Sequence, residues 1–141
     1  MTSSFSVEVR RSGIWQMTSA VLSCDGVCLI VDPGYFPREL DELTQLAQAR
    51  GDVTMVAFTH GHWDHVMGWR SFPDARVLMS RGMEDAVDAG NEIATRNLRD
   101  AADFDRRWYI ERGAPPAWPP PKQRQALAEG SVVQVGHASI E

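Results

Sequence analysis

Two nearly continuous apolar runs, VCLIVD at Val27 to Asp32 and VTMVAFT at Val53 to Thr59, flank a single helical pattern. Successive side chains of a strand point to opposite faces of its sheet, so a strand that is apolar at almost every position is covered on both sides. Between the runs, Pro37 suits a first helical turn, Leu40, Leu43, Leu46 and Ala47 recur at helical spacing, and Gly51 suits a C-terminal cap. Strand, helix, strand predicts a βαβ unit with two parallel buried strands, and hence an α/β chain. At 141 residues the chain can bury one core of this kind.

The N-terminal third reads as strands. FSVEVR alternates, IWQM continues after Gly13 as a further strand-like piece, and two β-rich runs flank Asp25-Gly26, a strong hairpin signal. Asp32-Pro33-Gly34 ends the second run in a turn. Beyond the second buried strand the pattern predicts a short helix around VMGWRSF, a strand RVLMS, and a long polar helical region from about Met83 to Arg112. Five of the eight prolines lie between Pro115 and Pro121, which predicts an extended surface loop. A strand pair, SVVQV and ASIE, completes the reading.

The net charge of −5, without a cluster of Lys and Arg, argues against a nucleic-acid partner, because phosphate binding needs concentrated basic charge. No apolar run approaches the roughly 18 residues of a membrane span, and MTSSFSVEVRRSG lacks the basic and apolar regions of a secretory signal. These features predict a cytoplasmic protein with neither a nucleic-acid nor a membrane partner. Cys24 and Cys28 are too few for a disulfide framework, do not have zinc-knuckle spacing, and read as reduced, packed thiols.

Three of the four histidines fall within six residues of the stretch THGHWDHVMGW, Thr59 to Trp69, with Asp64 among them. The buried strand delivers them at its carboxyl end, where open α/β sheets place their sites. Neutral imidazole is a preferred zinc ligand, and His60 and His62, two apart where a strand frays, can point to one side. Four adjacent donors from one tight loop cannot all close a tetrahedron around one ion without strain. A division into pairs is expected, His60 with His62 and Asp64 with His65. A helix-borne H-E-x-x-H is absent.

The run Thr59, His60, His62, Asp64, His65 and Gly68, preceded by Asp32 and Gly34 in an Asp-x-Gly turn, resembles the signature of the metallo-β-lactamase superfamily. The order of hairpin, turn, helix, strand and motif is similar to the first half of that family, with Met67-Gly68 where many members have Gly-Gly. The resemblance implies an αββα sandwich of two mixed sheets flanked by helices. It also implies a centre of one or two ions, zinc by default with iron or manganese as alternatives, held by His60, His62, Asp64 and His65. Asp32 and Thr59 are then supporting residues behind the ligands, and Asp64 is the candidate for orienting the attacking water. Trp63, Trp108 and Trp118 are the expected pocket aromatics, the last two as an aromatic lid over substrate entry.

The implied activity is attack of activated water on an ester, thioester, lactone or lactam bond. A catalytic zinc typically keeps three protein ligands and one open position, whereas the pairing above supplies two per ion. The family's later motifs, a Pro-Gly-His-type turn, an aspartate ending a later strand and a last histidine, have no counterpart before VGHASIE. His137 lies in a predicted hairpin turn and is expected to be solvated. The expectation is therefore one domain over 1–141, incomplete at its C-terminus and supplying mainly the N-terminal half. The alternatives are a homodimer in which each copy completes the other, and a degenerate non-catalytic metal-binding module.

Overall fold

The computed structural model describes residues 4–88, 92–112 and 124–141. Six strands form one mixed sheet in the order of the sequence: β1 (Ser6–Arg11), β2 (Thr18–Cys24), β3 (Val27–Val31), β4 (Asp52–Ala57), β5 (Arg76–Ser80) and β6 (Arg124–Leu127). The first three pair antiparallel and β3 to β6 run parallel. A separate two-stranded sheet pairs β7 (Val133–Val135) with β8 (Ala138–Ile140). Asp25 (φ 51°) and Gly26 (φ 73°) make the two-residue turn between β2 and β3, both in the left-handed region that a type I′ hairpin requires.

Helix α1 (Pro37–Gln48) returns the chain to the start of β4, and Pro37 occupies its first turn. Gly51 follows at φ 154°, where an added Cβ would lie 2.1 Å from the Gly26 carbonyl oxygen, so the chain re-enters the sheet against the β2–β3 turn only because no side chain is there. Helix α2 (Trp63–Val66) passes into a 3-10 turn, Met67–Ser71. The polar region after β5 is two helices, α3 (Arg81–Asp88) and α4 (Glu92–Arg107).

The apolar runs of β3, β4 and β5 divide by parity, as a period of two demands. Cys28, Ile30, Val56, Val77 and Met79 face α1, α2 and α4, meeting Leu43, Ala47, Val66, Ala94 and Ala101 in the main core. Leu29, Met55 and Leu78 point to the opposite face, where Val135 of the small sheet covers them. The second face is only part covered: Val7 and Val9 of β1, registered against Leu22 and Ala20, are 54% and 57% exposed.

Three sequence expectations need correction. Residues 14–17, IWQM, are not strand but the β1–β2 connection, closed by Ser12 N–H donating to Met17 O (2.7 Å) and Gln16 N–H to Ser12 O (3.1 Å), with Gln16 at φ 58°. Their apolar character serves side-chain packing rather than a ladder. The short helix begins at Trp63, inside the histidine motif, not after it. Strand β6, RQAL, was not expected, because four half-polar residues carry no alternation that distinguishes them from loop; it exists by pairing with β5. The proline run, Pro115 to Pro121, lies outside the described residues, as does Trp118.

Candidate metal centre

β3 and β4 end side by side, with Asp32 N–H donating to Ala57 O (2.9 Å). That parallel register sets Asp32, just past β3, against Thr59, just past β4. Asp32 Oδ1 accepts from the Thr59 backbone N–H (2.8 Å) and Oδ2 from the Thr59 hydroxyl (2.5 Å), while the Asp32 carbonyl accepts from Ser19 Oγ (2.5 Å). Asp32 is buried and sits at φ 47°, a conformation that Asp tolerates better than most residues. One carboxylate thus fixes the residue that opens the histidine loop.

Thr59 Oγ1 also lies 2.9 Å from His60 Nδ1. The His60 ring is 4.0 Å from that of His65 and 4.6 Å from that of His62, centroid to centroid. Asp64 Oδ2 lies 3.8 Å from His65 Nε2, and Asp32 Oδ2 lies 3.2 Å from His65 Nδ1. Among the described residues, donor atoms of Asp32, His60 and His65 come within 4.8 Å of one another. His62 touches this group through His60, and Asp64 through His65.

Burial, and then the neighbouring His65 and His62, depress the pKa of His60 below its ordinary value, so its imidazole is held neutral. A neutral ring keeps the lone pair that a metal needs. His65 Nδ1 is buried without a hydrogen bond, since the Asp32 oxygen beside it is off line. Leaving a buried polar nitrogen unpaired is costly. Three imidazoles, one of them with an unsatisfied nitrogen, and carboxylates on either side form a donor set that fits zinc or a similar divalent ion.

Two contacts that the sequence did not reveal hold the loop. Asn97, buried within α4, donates from Nδ2 to the carbonyl of Gly61 (2.9 Å), pinning the motif between two of its histidines. A buried Asn inside a helix is the only signal that could have drawn attention to it. Gly68 packs so tightly that an added Cβ would lie 2.3 Å from the Gly34 carbonyl oxygen and 2.9 Å from Leu40 Cδ2. The two glycines of the motif and the upstream turn therefore meet.

Trp63 of the motif belongs to an aromatic cluster. Trp63 stacks edge-on against Tyr35 (4.6 Å) and Trp15 (5.7 Å) and lies 5.2 Å from Phe104. Trp15 also meets Phe36 (5.0 Å) and Phe104 (4.9 Å), and its 40% exposure leaves part of the ring on the surface beside Ile14. Among the described residues Trp108 meets the cluster through Phe104 (6.1 Å), and it is 63% exposed. Below them, Tyr35 donates its hydroxyl to Asp105 Oδ1 (2.6 Å) and approaches Ala101 O (2.9 Å), and Arg112 lies 4.2 Å over its ring. His137 is exposed in the turn between β7 and β8, as expected, and its Nδ1 lies 2.6 Å from Asp25 Oδ2 at the far end of the sheet.

The family model described as the metallo-beta-lactamase superfamily matches residues 14–138. No curated protein matches the chain. Among solved structures, a metallo-beta-lactamase from Staphylococcus aureus superposes over 99% of this chain and 34% of its own, with a TM-score of 0.63 at 14% identity. A subclass B3 metallo-beta-lactamase isolated from a soil metagenome library matches over 98% of this chain and 48% of its own (TM-score 0.60, 21% identity). A metallo-beta-lactamase family protein from Thermus thermophilus matches over 96% and 49% (TM-score 0.57, 19% identity). The chain thus spans a third to a half of the length of these proteins.

Proposed function

Because the chain belongs to the metallo-β-lactamase superfamily, we propose that it is the metal-binding part of a metal-dependent hydrolase acting on an ester, thioester, lactone or lactam bond of a small molecule. The observation that carries the reading is the convergence of His60 and His65, beside the bracing carboxylate of Asp32, around a buried His65 nitrogen that has no hydrogen bond. His60, His62, Asp64 and His65 are the residues that would hold one or two ions, zinc by default. When bound, such an ion lowers the pKa of its water toward ~7 and polarises the substrate oxygen.

The chain's own residues do the rest. Asp32, with both carboxylate oxygens engaged by Thr59, braces the loop and so fixes where His60 points. Outer hydrogen bonds of this kind orient ligands and tune their basicity. Asp64, whose Oδ2 has only the His65 ring near it at 3.8 Å among the described ion pairs, is the carboxylate left to orient water and take its proton. Trp15 and Trp63 supply an apolar wall against which a substrate's non-reacting part can rest.

The test is metal analysis of the purified protein, with and without chelator, alongside assays on generic ester, thioester, lactone and lactam substrates. Stoichiometric metal that falls in His62→Ala supports the reading. Substoichiometric metal that His62→Ala does not change removes it.

The half-covered sheet face, with Val7 and Val9 exposed, favours one second reading: the chain is a metal-binding module that self-associates through that face. Molecular mass in solution decides it, because a folded, monodisperse monomer is incompatible with self-association.

A further inference from the structure

At the opposite end of β3 from the histidine motif, the turns of two hairpins meet. The strand between them is five residues long, roughly 16 Å at ~3.3 Å per residue. One turn carries Cys24 and Asp25; the other, between β7 and β8, carries Gly136 and His137. His137 Nδ1 lies 2.6 Å from Asp25 Oδ2, and the His137 backbone N–H donates to the same oxygen (3.1 Å). Cys24 Sγ lies 3.5 Å from Nδ1 and 3.8 Å from Nε2 of the same ring.

We propose that Cys24, Asp25 and His137 form a second metal site, for zinc, distinct from the histidine motif. Thiolate, imidazole and carboxylate are the three side-chain donors zinc takes, and their donor atoms here lie within 4.8 Å of one another. Tetrahedral zinc with ordinary bond lengths, ~2.3 Å to sulfur and ~2.0 to 2.1 Å to nitrogen, separates those two donors by about 3.6 Å, which the Cys24 to His137 distances already match. The Asp25 to His137 contact, 2.6 Å, is a hydrogen-bond distance and shorter than the ~3.3 Å such a site needs; for zinc to bind at Nδ1 the neutral ring carries its one proton on Nε2, and the pair opens by about 0.7 Å. Binding also releases the Cys24 thiol proton to solvent, so occupancy rises with pH.

The backbone prepares this approach. Gly136 sits at φ 59°, and an added Cβ would fall 2.6 Å from the Cys24 carbonyl oxygen and 2.9 Å from Asp25 Oδ2. Glycine is what lets the second turn close onto the first. Cys24 is buried, whereas the Asp25 and His137 side chains are exposed, so an ion reaches the sulfur from the solvent side. Three protein donors leave the fourth position to water, which makes the ion exchangeable. It would staple the two-stranded sheet to the six-stranded one, and its loading would follow the available zinc.

Cobalt(II) substituted for zinc separates this site from the first, because the motif offers only nitrogen and oxygen donors. The expected result is a thiolate-to-cobalt charge-transfer band in the near ultraviolet. It persists in His62→Ala and Cys28→Ala, and is lost in Cys24→Ser and His137→Ala. His137 is exposed, so His137→Ala stays folded even if Cys24→Ser does not. Zinc should correspondingly raise the Tm of the His62→Ala protein by more than that of the His62→Ala/His137→Ala double variant, and equal rises count against the second site. Absence of the band at saturating cobalt, or a band that survives His137→Ala, overturns the proposal and leaves an ion pair between two turns.

Discussion

Replacing Asp32 separates its charge from its shape. Asp32→Ala deprives the Thr59 N–H and hydroxyl of their buried acceptor. Thr59 is exposed, so water replaces part of what is lost, and each bond to the buried carboxylate is worth about 1 to 2 kcal/mol. Alanine must also hold the φ of 47° that Asp32 adopts, for roughly 1 kcal/mol. The expected loss is about 3 to 5 kcal/mol. Asp32→Asn keeps an acceptor for the Thr59 N–H, lets the Thr59 hydroxyl turn to accept from the new amide, and tolerates the same φ. It forfeits only the charge assistance, about 1 kcal/mol. With a urea slope of ~2 kcal/mol per M, the midpoint should fall by about 2 M for alanine and about 0.5 M for asparagine. Zinc affinity, read by competition with a chelator, should weaken ~10 to 100-fold in both, as for other outer-shell changes. An alanine variant within ~1 kcal/mol of the parent, or an asparagine variant as unstable as alanine, would refute the bracing role.

Gly68→Ala should cost about 3 kcal/mol in the same assay, at or beyond the upper end of ordinary overpacking, because the obstacle at 2.3 Å is the Gly34 backbone and cannot rotate away; a cost under ~1 kcal/mol would mean the two loops separate easily. Burial first, and the hydrogen bond to Asp105 next, push the Tyr35 pKa above its ordinary value. The unfolded chain therefore loses that proton first, near pH ~10, so stability is intact below this and falls as pH rises toward the folded value. Tyr35→Phe should flatten the alkaline limb of a Tm against pH profile, and an unchanged limb would dismiss the assignment. Trp15→Ala removes three aromatic contacts of about 0.5 to 1.5 kcal/mol each, part of which the exposed ring does not realise. About 2 kcal/mol of stability should be lost, and in an active enzyme KM should rise more than kcat falls; equal kinetics would show that the wall does not touch substrate. Trp108→Ala, at an exposed ring that meets Phe104 among the described residues, should leave folding within ~0.5 kcal/mol, and unchanged substrate preference would remove the lid expectation for that residue.

The parallel pair β3 and β4, the hairpin at Asp25-Gly26 and helix α1 were legible in the sequence because each rests on local periodicity or on turn chemistry carried by the residues themselves. The likeness of the motif to the metallo-β-lactamase superfamily was legible for a similar reason: its residues are nearly contiguous, and the family model covering 14–138 bears that membership out. The connection at residues 14–17 misled because Ile14, Trp15 and Met17 are apolar for reasons of packing. Strand β6 was silent because its strand character lies in its neighbour β5.

What the sequence determined by itself, then, was which segments could be buried and which residues could bind metal. Only the tertiary structure decided what those residues meet. Asp32 reaches Thr59 across 27 positions because β3 and β4 end in register, and Asn97 reaches Gly61 because α4 crosses the loop. His137 comes onto Asp25 across 112 positions because two tight turns close against each other. Such contacts depend on where separate elements pack, and no local pattern of residues encodes that.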